Sequence, residues 1–410
     1  MNRKKLAKTC AVAALTATFG LTAAPRGLAA DKSPIGTPGW NDSDANGALS
    51  RANLAETILT PSAVPTVKYL RSLTAPVFPP RGCADSAPTP LPTGGSVYAV
   101  GGGRLSKYNA ATGKLLWRSK PDRTFNTLYQ SLSISDNLVL VAGFPCGSES
   151  DPGGNVYAFN ATTGALVWSA GAADGLVETV VVGTSYVVTT GVAAGSGGYN
   201  LTVLKLSNGK NVWSSDPGCF PPDQAPPVVV DQVVMGYGCD IRGNDVLEGM
   251  DIATGAVLWT LPTGWIAQRG DLAGSAGAHL FATAPSGTVD DLNPLTGQVG
   301  YSLSRAVSVL AVDTSRVYAT CGTSGLCAYN IGTGTLEWRA TKPSGTTFAA
   351  EADGVLYLNS GEALNATTGQ GVKTIWSVYP PVTEMAVGDG RIAVIASDPR
   401  VVDLYGLPGH

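Results

Sequence analysis

The chain has 410 residues, of which only 14% are charged and 51 are glycine. Such a composition favours many short strands and tight turns over helices. The formal net charge is −3, and a mildly acidic chain excludes nucleic acid and anionic membrane surfaces as expected partners.

Residues 1–30 are predicted to be a secretory signal peptide. Basic residues lie at the start, an apolar run covers residues 11–24, and the small pair Ala29-Ala30 marks the expected cleavage site. The apolar run is too short to span a membrane, and no later segment reaches about 18 uninterrupted apolar residues. We therefore expect a secreted or cell-envelope-associated protein that has no membrane span. We also expect it to be a monomer. Residues 31–64, rich in Pro, Ser, Asn and Asp, are predicted to be a flexible lead-in.

Seven copies of a short motif follow, each with a polar turn that contains Gly and, after it, an aromatic residue. The aromatic residues are Trp117, Trp168, Trp213, Trp259, Tyr301, Trp338 and Trp376. Their spacings of 51, 45, 46, 42, 37 and 38 residues match a four-stranded propeller blade, which takes roughly 40–50 residues.

Each position of the motif has an expected structural role. The Asn or Asp that opens most copies is expected to bond the backbone of its own turn. The glycine is expected to supply a positive φ angle at little steric cost. The aromatic residue is large and carries one donor, so we expect it to wedge between neighbouring blades and dock that donor on a carbonyl.

An eighth blade is predicted to be split between the two ends of the chain. Residues 65–73 resemble a final strand without its turn, and residues 383–388, 391–396 and 400–405 resemble the first three strands of a blade. Joining them would leave no open sheet edge. The sequence therefore predicts an all-β, eight-bladed β-propeller of four-stranded antiparallel blades over residues 65–410, with the eighth blade closed by N- and C-terminal strands.

Six cysteines remain after the predicted signal peptide, and an even number in an exported protein indicates disulfides. No pair has CxxC spacing and the chain has only two histidines, so a metal site is not expected. The repeat register predicts the pairs Cys83–Cys146, Cys219–Cys239 and Cys321–Cys327.

Long loops at residues 144–154, 190–199 and 237–245 are predicted to lie on one face of the ring, where we expect binding. The candidate binding residues on this face are Arg123, Asn126, Gln130, Glu178, Tyr199, Asp240, Arg242, Trp265, Gln268, Arg269 and Asp271. Arg269 and Asp271 would hold a carboxylate or sugar hydroxyls, or would pair with each other. His279 is expected to be a surface turn residue on the opposite face.

The motif Thr-Gly-x-x-x-Trp, as at residues 112–117 and 254–259, resembles the pyrroloquinoline-quinone-type propeller repeat. That superfamily contains the quinoprotein alcohol dehydrogenases and the propeller lipoprotein of the outer-membrane barrel-assembly machinery. The resemblance covers about residues 50–405 and is closer to the assembly branch. The chain lacks the adjacent cysteine pair of methanol-dehydrogenase-like quinoproteins, and it lacks a lipobox cysteine after the signal peptide.

These patterns favour a secreted binding or scaffold protein that recognises a protein or a cell-envelope glycan at its loop-rich face. No catalytic residue is identified and no cofactor is predicted. The alternative is an enzyme: a diverged quinoprotein dehydrogenase with pyrroloquinoline quinone and calcium, a polysaccharide lyase or hydrolase, or a biosynthetic cyclase. The fold alone does not choose among them, because one propeller serves many functions.

Overall fold

The computed structural model describes most of the chain after residue 39. The described residues are 40, 42, 45–74, 87–101, 103–119, 127–135, 137–145, 153–174, 178–182, 185–192, 199–215, 227–230, 232–271, 278–377, 381–396, 398 and 401–409. For residues 127–130, 144, 145, 153, 172–174, 178–182, 192 and 199, only the backbone is described. Among these residues, no helix is long and apolar enough to cross a membrane.

The described residues form 33 strands and one 3₁₀ turn, Val64–Thr66. The strands before the first blade are β1 (Ala52–Asn53) and β2 (Lys68–Thr74). Blades 1 and 2 consist of β3 (Leu91–Thr93), β4 (Ser96–Gly101), β5 (Arg104–Asn109), β6 (Leu115–Arg118), β7 (Thr127–Ser135), β8 (Leu138–Pro145), β9 (Gly153–Asn160) and β10 (Leu166–Asp174). Blades 3 and 4 consist of β11 (Glu178–Val182), β12 (Tyr186–Val192), β13 (Tyr199–Lys205), β14 (Asn211–Ser215), β15 (Val228–Val230), β16 (Val233–Cys239), β17 (Asp245–Asp251) and β18 (Val257–Leu261).

The remaining strands complete the ring. Blades 5 and 6 consist of β19 (Ile266–Gly270), β20 (Leu280–Thr283), β21 (Val289–Leu292), β22 (Val299–Leu303), β23 (Ala306–Val312), β24 (Arg316–Cys321), β25 (Gly325–Asn330) and β26 (Leu336–Thr341). Blades 7 and 8 contain β27 (Ala349–Ala352), β28 (Val355–Leu358), β29 (Glu362–Asn365), β30 (Gly371–Thr374), β31 (Glu384–Gly388), β32 (Arg391–Ile395) and β33 (Val401–Gly406).

Each blade is a four-stranded antiparallel sheet, and the first strands of neighbouring blades contact one another around the axis. In blade 8, β2 pairs with β33, so that Ser72 lies opposite Asp403. The predicted eight-bladed propeller and the closure of its last blade by both chain ends are confirmed. Blade 7 has one additional strand, because β1 pairs in parallel with its inner strand β27.

Burial explains the strand sequences. The middle strands of each blade lie between two neighbouring blades and are apolar on both sides; β16, for example, is buried over all but its last residue. The outer strands have one edge in solvent and leave apolar side chains exposed, as at Val257 and Leu258 of β18.

The repeated turn locks each blade to the one before it. Trp117 Nε1 donates to the carbonyl of Ala161 at 3.1 Å, and Trp168 Nε1 donates to the carbonyl of Leu206 at 2.9 Å. The same contact recurs in the pairs Trp213–Ile252, Trp259–Pro294, Tyr301–Ile331 and Trp338–Ala366.

A glycine of the turn lies flat against the same ring. A Cβ atom on Gly164, which has φ +71°, would stand 2.5 Å from Trp117 Cε3. The turn therefore requires glycine for its backbone angle and for the close approach of the indole. The Asn160 side chain completes the turn by accepting hydrogen bonds from the amides of Thr162 and Thr163.

Trp376 is the exception among the repeat aromatics. The blade that follows it, blade 8, has no Thr-Gly turn, because its outer strand comes from the N-terminal part of the chain. Trp376 Nε1 is buried and has no hydrogen-bond partner among the described residues. Its ring packs instead against Tyr405, with the ring centroids 5.3 Å apart.

Residues 45–53, called the strap below, cross the inner strands near the ends that lead into their second strands. Four strap carbonyls accept backbone N–H groups from four successive blades, 4 to 7. The pairs, acceptor first, are Gly47–Val229 at 2.8 Å, Ala48–Gly270 at 2.8 Å, Ser50–Val312 at 2.7 Å and Arg51–Glu351 at 2.8 Å. Asn53 Nδ2 then donates to the carbonyl of Val387 in blade 8 at 2.7 Å.

The strap therefore differs from the flexible lead-in that the composition of residues 31–64 favours. It is largely buried, and its carbonyls satisfy N–H groups at the inner sheet edges. Ala45, Leu49 and Arg51 have positive φ angles, an uncommon conformation for residues other than glycine. Asn46 Oδ1 steadies the bend by accepting the amides of Ala48 and Ser50.

The predicted disulfide between Cys321 and Cys327 is confirmed, with its Cα atoms 5.9 Å apart across the hairpin of β24 and β25. Cys239 is also disulfide-bonded. Its predicted partner, Cys219, lies outside the described residues, as do Cys83 and Cys146.

Candidate functional site

The two ends of the blades carry different connections. The end with the loops between second and third strands is called the loop face, and the opposite end the turn face. Arg123 and Asn126, predicted for the loop face, lie outside the described residues. Glu178 and Tyr199 begin β11 and β13 at the loop face, and Gln130 lies within β7; the side chains of these three are not described.

The connection between β16 and β17 in blade 4, residues 239–245, is the best-defined loop of this face. Asp240 organises it: one carboxylate oxygen accepts the amides of Arg242 at 2.7 Å and Asn244 at 2.9 Å, and the other accepts Asn244 Nδ2 at 2.8 Å. The Asn244 side chain is the main reason that the pKa of Asp240 is lowered, with its backbone amide contributing next. At its base, Cys239 pairs with Asp245 and is held by a disulfide.

The tip of this loop presents an apolar side chain that the sequence reasoning missed. Ile241 is fully exposed, and the neighbouring Arg242 is exposed as well. Asp240 therefore serves the turn, while the two residues that follow it are offered to solvent. The available sequence signal was an isoleucine inside an otherwise polar loop, Cys-Asp-Ile-Arg-Gly-Asn-Asp.

Three residues predicted for the same face are used within the fold. Trp265 is half-buried and packs on the apolar core that the strap shares with blades 3, 4 and 5. Gln268 Oε1 accepts the amide of Val309 at 2.6 Å. Arg269 donates to the carbonyl of Val309 at 3.2 Å and to that of Leu49 in the strap at 2.5 Å. These contacts join blades 5 and 6 and the strap.

The predicted position of Asp271 on the loop face is wrong. Strand β19 ends at Gly270, so Asp271 stands at the turn face, where its carboxylate accepts the amide of His279 at 2.7 Å. The prediction that His279 lies at the surface is also wrong, because this residue is only 8% exposed. Its Nδ1 lies 3.0 Å from the Asp291 carboxylate, which explains how the imidazole tolerates burial.

Two buried groups at the turn face, His279 and Glu351, have raised pKa values. Burial would lower the pKa of His279, but the hydrogen bond to Asp291 and the charges of Asp291 and Asp271 outweigh it, so this pKa is raised. Burial raises the pKa of Glu351, on inner strand β27, to about 8, and the charge of Asp313 adds to the effect.

Charged side chains on or next to the described inner strands are engaged within the fold. Arg269 is bonded to two carbonyls, Asp313 accepts the amides of Ser315 and Arg316, and Glu351 accepts the amide of Gly354. In the part of the chain that the structure describes, no three His, Cys, Asp or Glu side chains are grouped so that they could hold a metal ion.

Comparison with solved structures gives similar propellers. BamB from Moraxella catarrhalis has a TM-score of 0.58 and 18% identity, and the match covers 83% of this chain and all of that one. The quinohemoprotein alcohol dehydrogenase from Comamonas testosteroni has a TM-score of 0.57 and 12% identity, with 92% of this chain and 82% of that one covered. A europium-containing methanol dehydrogenase has a TM-score of 0.59 and 12% identity, with 90% and 98% covered. Likeness at such low identity shows the fold alone.

No curated protein matches the chain by sequence. A family model described as outer membrane protein assembly factor BamB does match it, over residues 43–219 and 242–405, which together are most of the chain. The match runs from the strap to the last strand of blade 8. The chain therefore belongs to the family of the outer membrane protein assembly factor BamB.

Proposed function

We propose that this chain is an exported, non-catalytic scaffold that binds a protein partner through its loop face. The observation that carries the proposal is the blade 4 loop, which offers Ile241 and Arg242 on a turn fixed by Asp240. A preformed loop loses little conformational freedom on binding, so more of the contact energy appears as affinity.

The chemistry of this loop supports a protein partner over a glycan. An exposed aliphatic side chain gains by burial in an apolar pocket, and an adjacent guanidinium favours interfaces with acidic or carbonyl groups. The two residues stand side by side in the sequence, so one partner surface would meet both. Membership of the BamB family supports the same interpretation, since that family is named for an outer membrane protein assembly factor.

Photocrosslinking tests the proposal directly. Benzoylphenylalanine would be placed at position 241 in the full chain, in cells that produce it, and adducts would be identified by mass spectrometry. Leu295 is the matched control, because it is an exposed aliphatic residue in the connection between β21 and β22 at the turn face. We expect one defined protein adduct from position 241 and none from position 295.

A second measurement tests whether Ile241 itself contributes to binding. Once the crosslinked protein is known, Ile241→Asp should weaken its binding by about ten-fold or more, with an unchanged melting temperature. Equal adducts from both positions, or an adduct that carries glycan and no protein, would contradict the proposal. A stabilisation by several degrees on adding pyrroloquinoline quinone with calcium would instead favour the enzyme alternative.

A further inference from the structure

The strap meets a pair of buried acids where it passes from blade 6 to blade 7. The Ser50 carbonyl accepts the amide of Val312, the residue before Asp313, and the Arg51 carbonyl accepts the amide of Glu351 itself. Glu351 also stands opposite Ala52 in the parallel pair of β1 and β27. Two successive strap carbonyls therefore bridge the boundary between blades beside the two carboxyl groups.

The surroundings of the two acids differ. Asp313 accepts the amides of Ser315 and Arg316 and the hydroxyl of Tyr318, a set of donors that suits a carboxylate. The Glu351 side chain accepts the amide of Gly354 at 2.8 Å. Because the residue is 4% exposed, an ionised Glu351 would place a second negative charge close to Asp313 with little water to screen it.

Several titratable or charged groups lie in this environment. Those that act on Glu351 directly or through its neighbours are Asp313, Arg316, Tyr318, Asp353, Tyr357 and Glu56. Arg51 of the strap does not neutralise the pair at close range: its guanidinium lies over the Phe348 ring, 4.8 Å from the centroid. Acids outnumber bases, so the balance favours a neutral Glu351.

We propose that the strap and the Glu351–Asp313 pair form a pH-sensitive clamp on the turn face. While Glu351 is protonated, the strap stays seated across blades 6 and 7. When Glu351 ionises, repulsion from Asp313 opens the boundary that the strap bridges, and the strap leaves, so that water reaches both carboxylates. The positive φ angles of Leu49 and Arg51 favour release, because they are relieved when the strap leaves. This proposal does not depend on the loop face or on its partner.

Limited proteolysis with trypsin reports on the clamp, because Arg51 is a trypsin site inside the strap. Cleavage after Arg51 would be followed by mass spectrometry at pH 6 and pH 9, normalised to cleavage after Lys210 in an exposed turn. Normalisation removes the pH dependence of trypsin itself. We expect normalised cleavage after Arg51 to rise by up to about a hundred-fold between these pH values, since a released strap restores an ordinary carboxyl pKa.

Glu351→Gln is the decisive variant, because glutamine keeps the shape and the acceptor while removing the charge. The rise in cleavage should disappear in this variant. If Glu351→Gln does not fold, Asp313→Asn provides the test: without the neighbouring charge there is less repulsion to open the boundary, so the rise in cleavage should be smaller than in wild type. Two results would overturn the clamp: the same rise in wild type and Glu351→Gln, or cleavage of β2 in blade 8 that rises in parallel, which indicates general unfolding.

Discussion

Glu351→Gln is predicted to make the whole protein more stable near neutral pH. In the folded chain burial raises the pKa of Glu351 to about 8, whereas the ordinary value is 4.5. A carboxyl whose folded pKa is raised contributes full stability below its unfolded pKa, and that contribution is lost as pH rises towards the folded value. The loss therefore falls between pH 4.5 and pH 8.

The magnitude follows from the size of this window. Each pH unit within it corresponds to about 1.4 kcal/mol. At pH 7 the free energy of unfolding of the wild type is about 3 kcal/mol lower than it would be with a side chain that stays neutral, and at pH 5 it is less than about 1 kcal/mol lower. Glutamine cannot ionise, and its carbonyl can still accept the amide of Gly354. The stabilising effect of Glu351→Gln should therefore be small at pH 5 and should grow by roughly 2–4 kcal/mol by pH 8.

Urea unfolding at pH 5 and pH 8, followed by tryptophan fluorescence, measures the difference. Other titrating groups, such as His279, are common to wild type and variant and cancel in the comparison. Glu362→Gln, at a partly exposed position on β29 of the same blade, is the control and should show no such growth with pH. If the difference between Glu351→Gln and wild type is the same at both pH values, the assignment of a neutral, buried Glu351 is refuted.

Three further predictions concern the locks between blades and within blade 6. Gly209→Ala places a Cβ 2.5 Å from the Trp168 ring at φ +67° and should lower the free energy of unfolding by about 2–4 kcal/mol. The control Gly95→Ala has the same φ but no atom within 4 Å of its Cβ, and should lower it by only about 1 kcal/mol. Urea unfolding measures both values. Trp168→Phe should lower the free energy of unfolding by about 1 kcal/mol more than Trp376→Phe, because only the first substitution removes a hydrogen bond to a buried carbonyl. Thermal unfolding measures the difference, and equal losses would argue against the docking role of the indole N–H. Replacing both cysteines of the blade 6 disulfide with serine opens a short loop and should cost about 2 kcal/mol, measured against wild type under oxidising conditions; no change would mean that the bond constrains nothing in the unfolded chain.

The fold could be predicted because its information is local and repeated. An Asn, Thr and Gly turn followed by an aromatic residue specifies one hairpin and its contact with the next blade, and seven copies specify the ring. Even the split blade 8 is visible, since its strands keep their apolar pattern without the turn. Trp376 departs from this pattern: it has the motif's aromatic residue, but no described residue accepts a hydrogen bond from its indole N–H.

The candidate site was less predictable, because positions across blades depend on strand length. A five-residue β19 carries Asp271 from the expected loop face to the turn face. The strap was missed for a different reason. It binds through carbonyl groups, which every residue has, and it bends at Ala45, Leu49 and Arg51, whose positive φ angles leave no trace in composition.

Blade 8 sets the order in which the molecule can be completed. Its outer strand, β2, is made before the four antiparallel strands of each of the other seven blades, but the strand that β2 pairs with, β33, is made more than 300 residues later. Bringing segments more than 300 residues apart together is slow compared with forming a hairpin, so seven blades can finish before the ring seals. A chain that lacks β31, β32 and β33 would leave β2 unpaired and the ring open at blade 8. Closure of the ring therefore requires that β31, β32 and β33 have all been made.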